Sequence, residues 1–266
     1  MEQINENIIR VASMLSRANY VIALTGAGIS TESGIPDFRG EKGVWKRDPE
    51  AERKAYQIYN KFRTNPKEYW KDRLSGRGIL GDLSGYQPNK GHYALAELES
   101  MGVLKSIITQ NVDNLHNKAG SQKVFEYHGN AFKLRCLSCY SRFDVQDFKL
   151  DSLYAKDLLP PLCKVCGSPL KSDIVDFNEP IPTDVVEHSQ EETLKCDLML
   201  ICGTSAAVWP FAGLPLAAKR RGKVTIIEIN LEESDLSRGG ISDIFIKGRT
   251  GEILPKIVQQ LKSLNV

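Results

Sequence analysis

The chain has 266 residues, 41% of them apolar and 26% charged, ordinary proportions for a globular protein that forms one α/β domain or one domain with an insertion. Its 35 basic and 33 acidic residues leave no strong field to steer a nucleic acid or a membrane surface. The apolar runs are too short to span a bilayer and no signal pattern opens the sequence, so a cytoplasmic protein with neither nucleic-acid nor membrane partners is expected.

Ile4, Ile8, Val11 and Leu15 recur at helical spacing, and an amphipathic helix is predicted there. The apolar run Tyr20 to Leu24 then reads as a fully buried strand. It leads into Gly26-Ala27-Gly28, a turn whose bare backbone N–H groups suit the phosphates of a nucleotide. The fingerprint G-x-G-x-x-G is incomplete, because Thr31 holds the place of the third glycine, and taken alone the stretch reads equally as a tight turn. Asp37, Phe38 and Arg39 follow between Pro36 and Gly40, and that composition suits ligand handling better than a core.

Residues 41 to 90 carry Trp45, Tyr56, Tyr59, Phe62, Tyr69 and Trp70 among many charges. Short helices around a mobile loop are expected, broken afterwards by Gly76, Gly78, Gly81, Gly85 and Pro88, with the aromatics forming a satellite core. A helix from His92 to Met101 and a strand from Val103 to Thr109 resume the α/β alternation. Gln110-Asn111-Val112-Asp113 lies at the C-terminal end of that strand. A second apolar run, Val124 to Tyr127, ends at His128-Gly129. Beyond the cysteine-bearing segment at 131 to 172, a strand is predicted over Asp173 to Phe177 and a helix over 183 to 194. Leu198 to Cys202 reads as a strand ending in Gly203-Thr204-Ser205, followed by a helix at 210 to 221. Val224 to Ile229 is a strand ending at Asn230, Ile244 and Ile246 mark a last one, and Glu252 to Leu264 closes as a helix. This alternation predicts a doubly wound, mainly parallel, Rossmann-like sheet.

Each polar cluster falls just after a predicted strand, and in an open parallel sheet those positions share one edge, where ligands bind. His128 stands on that edge and is followed by a glycine, which makes it the candidate general base. Cys136-x-x-Cys139 and Cys163-x-x-Cys166, 23 residues apart, have zinc-ribbon spacing. Four thiolates complete a tetrahedron and leave no open position, so one structural Zn2+ is expected. Cys196 and Cys202 read as core thiols.

Taken together, the motifs closely resemble those of the sirtuins, the NAD-dependent protein deacylases. The resemblance rests on GAGIS-x-x-SGIPDFRG at 26 to 40, TQNVDNLH at 109 to 116, HG at 128 to 129, the paired cysteines and GTS-x-x-V-x-P at 203 to 210, with support from IN at 229 to 230 and G-x-x-GE at 248 to 252. It covers nearly the whole chain. It implies an NAD-binding domain from 1–40, 87–130 and 173–266, and a small domain from the insertions 41–86 and 131–172. Ala27, Thr31, Phe38 and Arg39 would contact NAD, with Gly26, Gly28 and Asp37 in the same loop. Ser205, Asn230 and Leu231 would hold the adenosine half, Gly203 and Thr204 would also bind the cofactor, and Gln110, Asn111, Val112 and Asp113 would line the ribose and nicotinamide pocket. The acyl oxygen of an acylated protein lysine would attack the ribose as nicotinamide leaves. His128 would then help a ribose hydroxyl attack the resulting imidate, while Phe38 excludes water. The products implied are free lysine, nicotinamide and O-acyl-ADP-ribose. Val175, Phe177, Asn178 and Glu179 would clamp the substrate peptide as an added strand, together with an extended stretch from Ser205 to Pro210.

Two departures stand out. Asn178 replaces the glycine common in V-x-F-G-E, which predicts a left-handed residue with its side chain turned from the tunnel. Tyr69 and Arg73, at i and i+4, do not match the Tyr-x-x-Arg pair used for acidic acyl groups, so acetyl is the expected group. Mono-ADP-ribosyl transfer from the same site, and a reader of NAD or acyl-lysine without turnover, are the alternatives; an intact His128 speaks against the reader, which needs no base.

Overall fold

A computed structural model describes residues 2–40, 43–75 and 81–264. The expected breaks at Gly76 and Gly78 lie outside those residues.

Among the described residues nine strands follow in chain order: β1 (Val21–Thr25), β2 (Leu104–Thr109), β3 (Val124–Glu126), β4 (Lys133–Cys136), β5 (Arg142–Asp144), β6 (Leu170–Ser172), β7 (Leu198–Cys202), β8 (Thr225–Asn230) and β9 (Ile244–Lys247). Six form one sheet in the order β3-β2-β1-β7-β8-β9, parallel throughout. Counted within that sheet, the order is 3-2-1-4-5-6, the doubly wound arrangement of dinucleotide-binding domains. Every residue of β1 is buried, because helices cover both faces of the sheet.

The strand pleat divides the core in two. Val21, Ala23, Leu200 and Ile227 face one layer, built on the helices Glu2–Leu15, Lys90–Ser100 and Thr250–Leu264. Ile22, Leu24, Met199 and Ile201 face the other, where Phe211, Leu214 and Ala218 lie at or beside the helix Gly213–Arg220. Helix Glu2–Leu15 buries Ile8, Val11 and Leu15 of the stripe read from the sequence and Ala12 beside them, while Ile4 is only partly buried against the same core. No helix among the described residues is long and apolar enough to cross a membrane.

The two insertions share a core of their own. Phe62, Tyr69 and Trp70 come from short helices of the first, and Leu134, Leu159 and Leu170 from the second. The Trp70 indole donates to the Leu170 carbonyl at 2.7 Å and ties the two together. β5-β4-β6 makes a small antiparallel sheet within this unit.

Three expectations need correction. Residues 173 to 177 are not a strand: the strand here is β6, three residues earlier, and it pairs with β4 in the small sheet. Ile174 and Val175 resemble a buried strand, but Asp173 and Asp176 point into a cluster of cations, and a central strand would have to strip both carboxylates of partners. The satellite core also claims fewer aromatics than expected. Trp45 and Tyr56 join Phe38 and Phe177 instead, in a separate aromatic group. Lastly, the stretch after Ser205 stops short of Pro210, since Ala206 is left-handed (φ 46°) and a turn begins at Trp209.

Candidate active site

The strand order reverses between β1 and β7, and the loops that follow them meet there. Gly28 donates its N–H to the Gly203 carbonyl at 2.8 Å. A Cβ on Gly28 would stand 2.7 Å from that same oxygen, and one on Gly203 (φ 63°) would stand 2.2 Å from the Ile29 nitrogen. The glycines of the Gly-Ala-Gly turn therefore serve the contact between two loops as well as any ligand. Thr31, in the third glycine's place, donates its hydroxyl to the Gly28 carbonyl at 2.9 Å and closes the turn from its own side.

The loop after β2 is stitched to both. Gln110 accepts from the Thr204 hydroxyl at 2.7 Å, and the Asn111 amide donates to the Gly26 carbonyl at 3.1 Å and the Ser30 hydroxyl at 3.0 Å. Asp113 accepts from Ser30 at 2.7 Å and from the Leu115 N–H at 2.9 Å. Burial raises its pKa above the ordinary aspartate value, and those hydrogen bonds oppose the rise. Beyond β8, the Asn230 amide donates to the Thr204 carbonyl at 3.0 Å. Four strand ends thus become one hydrogen-bonded rim.

His128 follows β3 and is half-buried on the same rim. Its carbonyl accepts from the Val175 N–H at 2.8 Å, and Gly129 (φ 77°) packs so tightly on Asp173 that a Cβ would stand 2.0 Å from that residue's carbonyl oxygen. The surrounding protein pushes the His128 pKa down to about 4, against a smaller upward effect of the Gln110 backbone carbonyl. The ring is therefore neutral at physiological pH, the form in which a base can take a proton.

These groups surround a cavity of 2340 Å³ between the parallel sheet and the small unit. Of the cofactor and substrate residues chosen from sequence, those from Ala27 to Leu231 all border it, and Gly26 lies just behind, packed on Thr204. Phe38 and Trp45, with ring centroids 5.1 Å apart, form an aromatic wall that Phe177 extends at 6.2 Å from Trp45, and Tyr56, outside the lining, packs on Phe177 at 4.5 Å. Asn178 is left-handed at φ 65°, as expected of a residue standing in for glycine. Glu179 borders the cavity, but its carboxylate turns inward to Arg135 and Lys171. Tyr69 and Arg73 both border the cavity, with Tyr69 packed against Phe62 and Trp70.

Sequence reasoning missed Trp45, whose only signal was its closeness in the chain to the Phe38 loop. It also missed Glu32, whose carboxylate accepts from the Gly251 N–H at 2.7 Å and ties the first loop to the closing helix.

The four cysteines lie away from the cavity lining, with all Sγ atoms within 4.8 Å of one another. Cys136 and Cys166 are 3.5 Å apart and Cys139 and Cys163 3.6 Å, close to the roughly 3.8 Å edge of a tetrahedron with Zn–S bonds of about 2.3 Å. Two matching turns hold them. Tyr140 N–H donates to the Cys136 carbonyl and Gly167 N–H to the Cys163 carbonyl, with φ at 62° and 74°. The donor set and spacing fit one closed structural zinc site.

Residues 26–210 match the Sir2 family. The NAD-dependent protein deacylase of Thermococcus kodakarensis is 42% identical over 253 residues, 95% of each chain. The NAD-dependent protein deacetylase of Sulfurisphaera tokodaii is 43% identical over 256 residues, 96% of each. A solved complex of a Sir2 homologue with NAD aligns with a TM-score of 0.77 at 37% identity, covering 97% of this chain and 94% of that one.

Proposed function

The chain belongs to the Sir2 family, and from that premise we propose that it removes acyl groups, acetyl first, from protein lysines at the expense of NAD. The products are the free lysine, nicotinamide and O-acyl-ADP-ribose. One observation carries the proposal: the loops after β1, β2, β3, β7 and β8 converge on one cavity at the switch point of the sheet, with His128 on its rim.

The residues divide the work by position. The loop after β1 and the Gly203–Ser205 turn present backbone to the dinucleotide's phosphates, with Arg39 supplying a cation beside them. Asn230 and Leu231 close the adenosine end, and Gln110 to Asp113 face the ribose and nicotinamide. Phe38, braced by Trp45, covers the reacting carbon and keeps water from it. His128 accepts the proton of the ribose hydroxyl that captures the acyl group. Residues 175 to 179 receive the peptide through backbone pairing, so sequence preference outside the modified lysine is weak. The insertions 41–86 and 131–172 act as one small domain over the cavity, and zinc binds its four cysteines in a structural role. A cytoplasmic location agrees with the reducing conditions that keep those thiols free for metal.

Incubation with an acetyl-lysine peptide and NAD, followed by mass analysis, tests this directly. Deacetylated peptide with nicotinamide and O-acetyl-ADP-ribose is expected. Peptide or protein carrying ADP-ribose would support transfer instead, and unchanged peptide would support a reader.

A further inference from the structure

Arg135 on β4 and Lys171 on β6 are directly paired across the small sheet, and both side chains are buried. Two like charges facing each other on adjacent strands repel, and here no water relieves them. Both are held by carboxylates from one stretch of chain. Glu179 bridges the pair, with Oε1 2.6 Å from Arg135 and Oε2 2.9 Å from Lys171. Asp176 lies 2.7 Å from Lys171, and Asp173 lies 3.6 Å from Arg135 and 3.2 Å from Arg142. Three cations thus meet three carboxylates of residues 173 to 179, and Arg142 at the edge of the cluster also takes a fourth, Asp184, at 2.7 Å.

The same groups also shape the backbone. Lys171 Nζ donates to the Ile174 carbonyl at 2.5 Å, and Glu179 Oε2 accepts from the Asp176 N–H at 2.9 Å. That turn encloses left-handed Asn178 and aims Phe177 at Trp45 and Tyr56. Asp173 Oδ2 accepts from the Asn130 N–H at 3.0 Å, two residues from His128. Burial disfavours the Lys171 charge, but Tyr69, Asp176 and Glu179 outweigh it and hold its pKa above the ordinary lysine value.

We propose that Lys171, with Arg135 beside it, is a positioning residue for the acylated peptide: the paired cations draw Asp173, Asp176 and Glu179 inward and thereby fix the backbone of 174 to 179 for pairing with substrate. This rests on the assignment of 175 to 179 to peptide binding. A cationic pair on the zinc-bearing sheet, without touching substrate, sets how well the peptide is held.

The test compares Lys171→Met and Lys171→Arg in the full-length protein, with peptide KM, NAD KM, kcat and zinc content measured together. Lys171→Met should raise peptide KM about tenfold or more while NAD KM stays within about twofold and zinc remains stoichiometric, the signature of lost substrate positioning. Lys171→Arg should recover most of the peptide affinity. Unchanged peptide KM, or a parallel rise in both KM values with loss of zinc, would overturn the proposal and leave the cluster a brace for the metal unit. If Lys171→Met does not fold, Asp176→Asn decides: a smaller rise confined to peptide KM supports the role, and no change refutes it. Parent protein that fails to deacetylate any peptide counts against the functional reading instead.

Discussion

His128 follows β3 on the ligand edge of the sheet, and Val175, Gly129 and Asp173 fix its backbone. That placement makes the imidazole's role testable apart from folding. His128→Ala should lower kcat by about 10²–10⁴-fold, the usual contribution of a positioned base, with NAD binding retained in a direct titration. Near-normal turnover would remove His128 from the chemistry. Asn178 offers a second test at one residue. At φ 65° it occupies a region that asparagine tolerates and β-branched residues resist. Asn178→Gly should leave peptide KM nearly unchanged, whereas Asn178→Val should raise it sharply by forcing the turn out of shape. Equal KM values for the Val variant and the parent would show that the backbone conformation does not matter.

Among the elements, the β5-β4-β6 sheet depends most on something other than its own packing. Its strands are three or four residues long, and its core is a handful of side chains shared with the helical insertion. So small a core is marginal alone, and metal binding supplies folding free energy. Cys136→Ala should therefore lose zinc, melt the small unit at lower temperature and reduce activity through the shape of the cavity wall. Metal analysis finding a fully active variant without zinc would contradict that role. Trp70, whose indole is bonded to Leu170, gives a fluorescence reading of the unit independent of turnover.

The whole molecule carries a pH dependence in its interior. His92 is buried, with Nδ1 accepting from the Asn89 N–H at the start of the helix Lys90–Ser100, and burial pushes its pKa down to about 4. His116, whose ring centroid lies 4.9 Å away, is also well below its ordinary value, from burial first and from His92 second. Both fold as neutral rings, whereas the unfolded chain takes up protons near pH 6.5. Their contribution is thus fully present above about pH 6.5 and is lost as pH falls below it, for His92 down to about 4. For His92 alone about 2 kcal/mol is gone by pH 5. Urea unfolding at pH 7.5 and 5 should show the parent losing more stability than His92→Gln, and parallel losses would show that His92 is not the source.

The amino-acid sequence by itself determined the α/β alternation, the metal knuckles and most of the cavity rim. Runs such as Val21 to Leu24 are apolar on every residue because the strand is covered on both faces, so the pattern is local and readable. Two Cys-x-x-Cys pairs carry their turn geometry and their chemistry within a few residues, and each rim motif adjoins a strand end. Only the tertiary structure decided where charge and aromatic surface would find partners. Asp173 to Phe177 looked like a strand until Arg135 and Lys171, distant in sequence or on another strand, supplied cations for Asp173 and Asp176. Trp45 joined the group around Phe38 and Phe177 and Trp70 the small core, although nothing in their neighbouring residues separates them. A buried charge or ring is stabilised by what lies across from it, and that partner is chosen by the fold, not by the adjoining sequence.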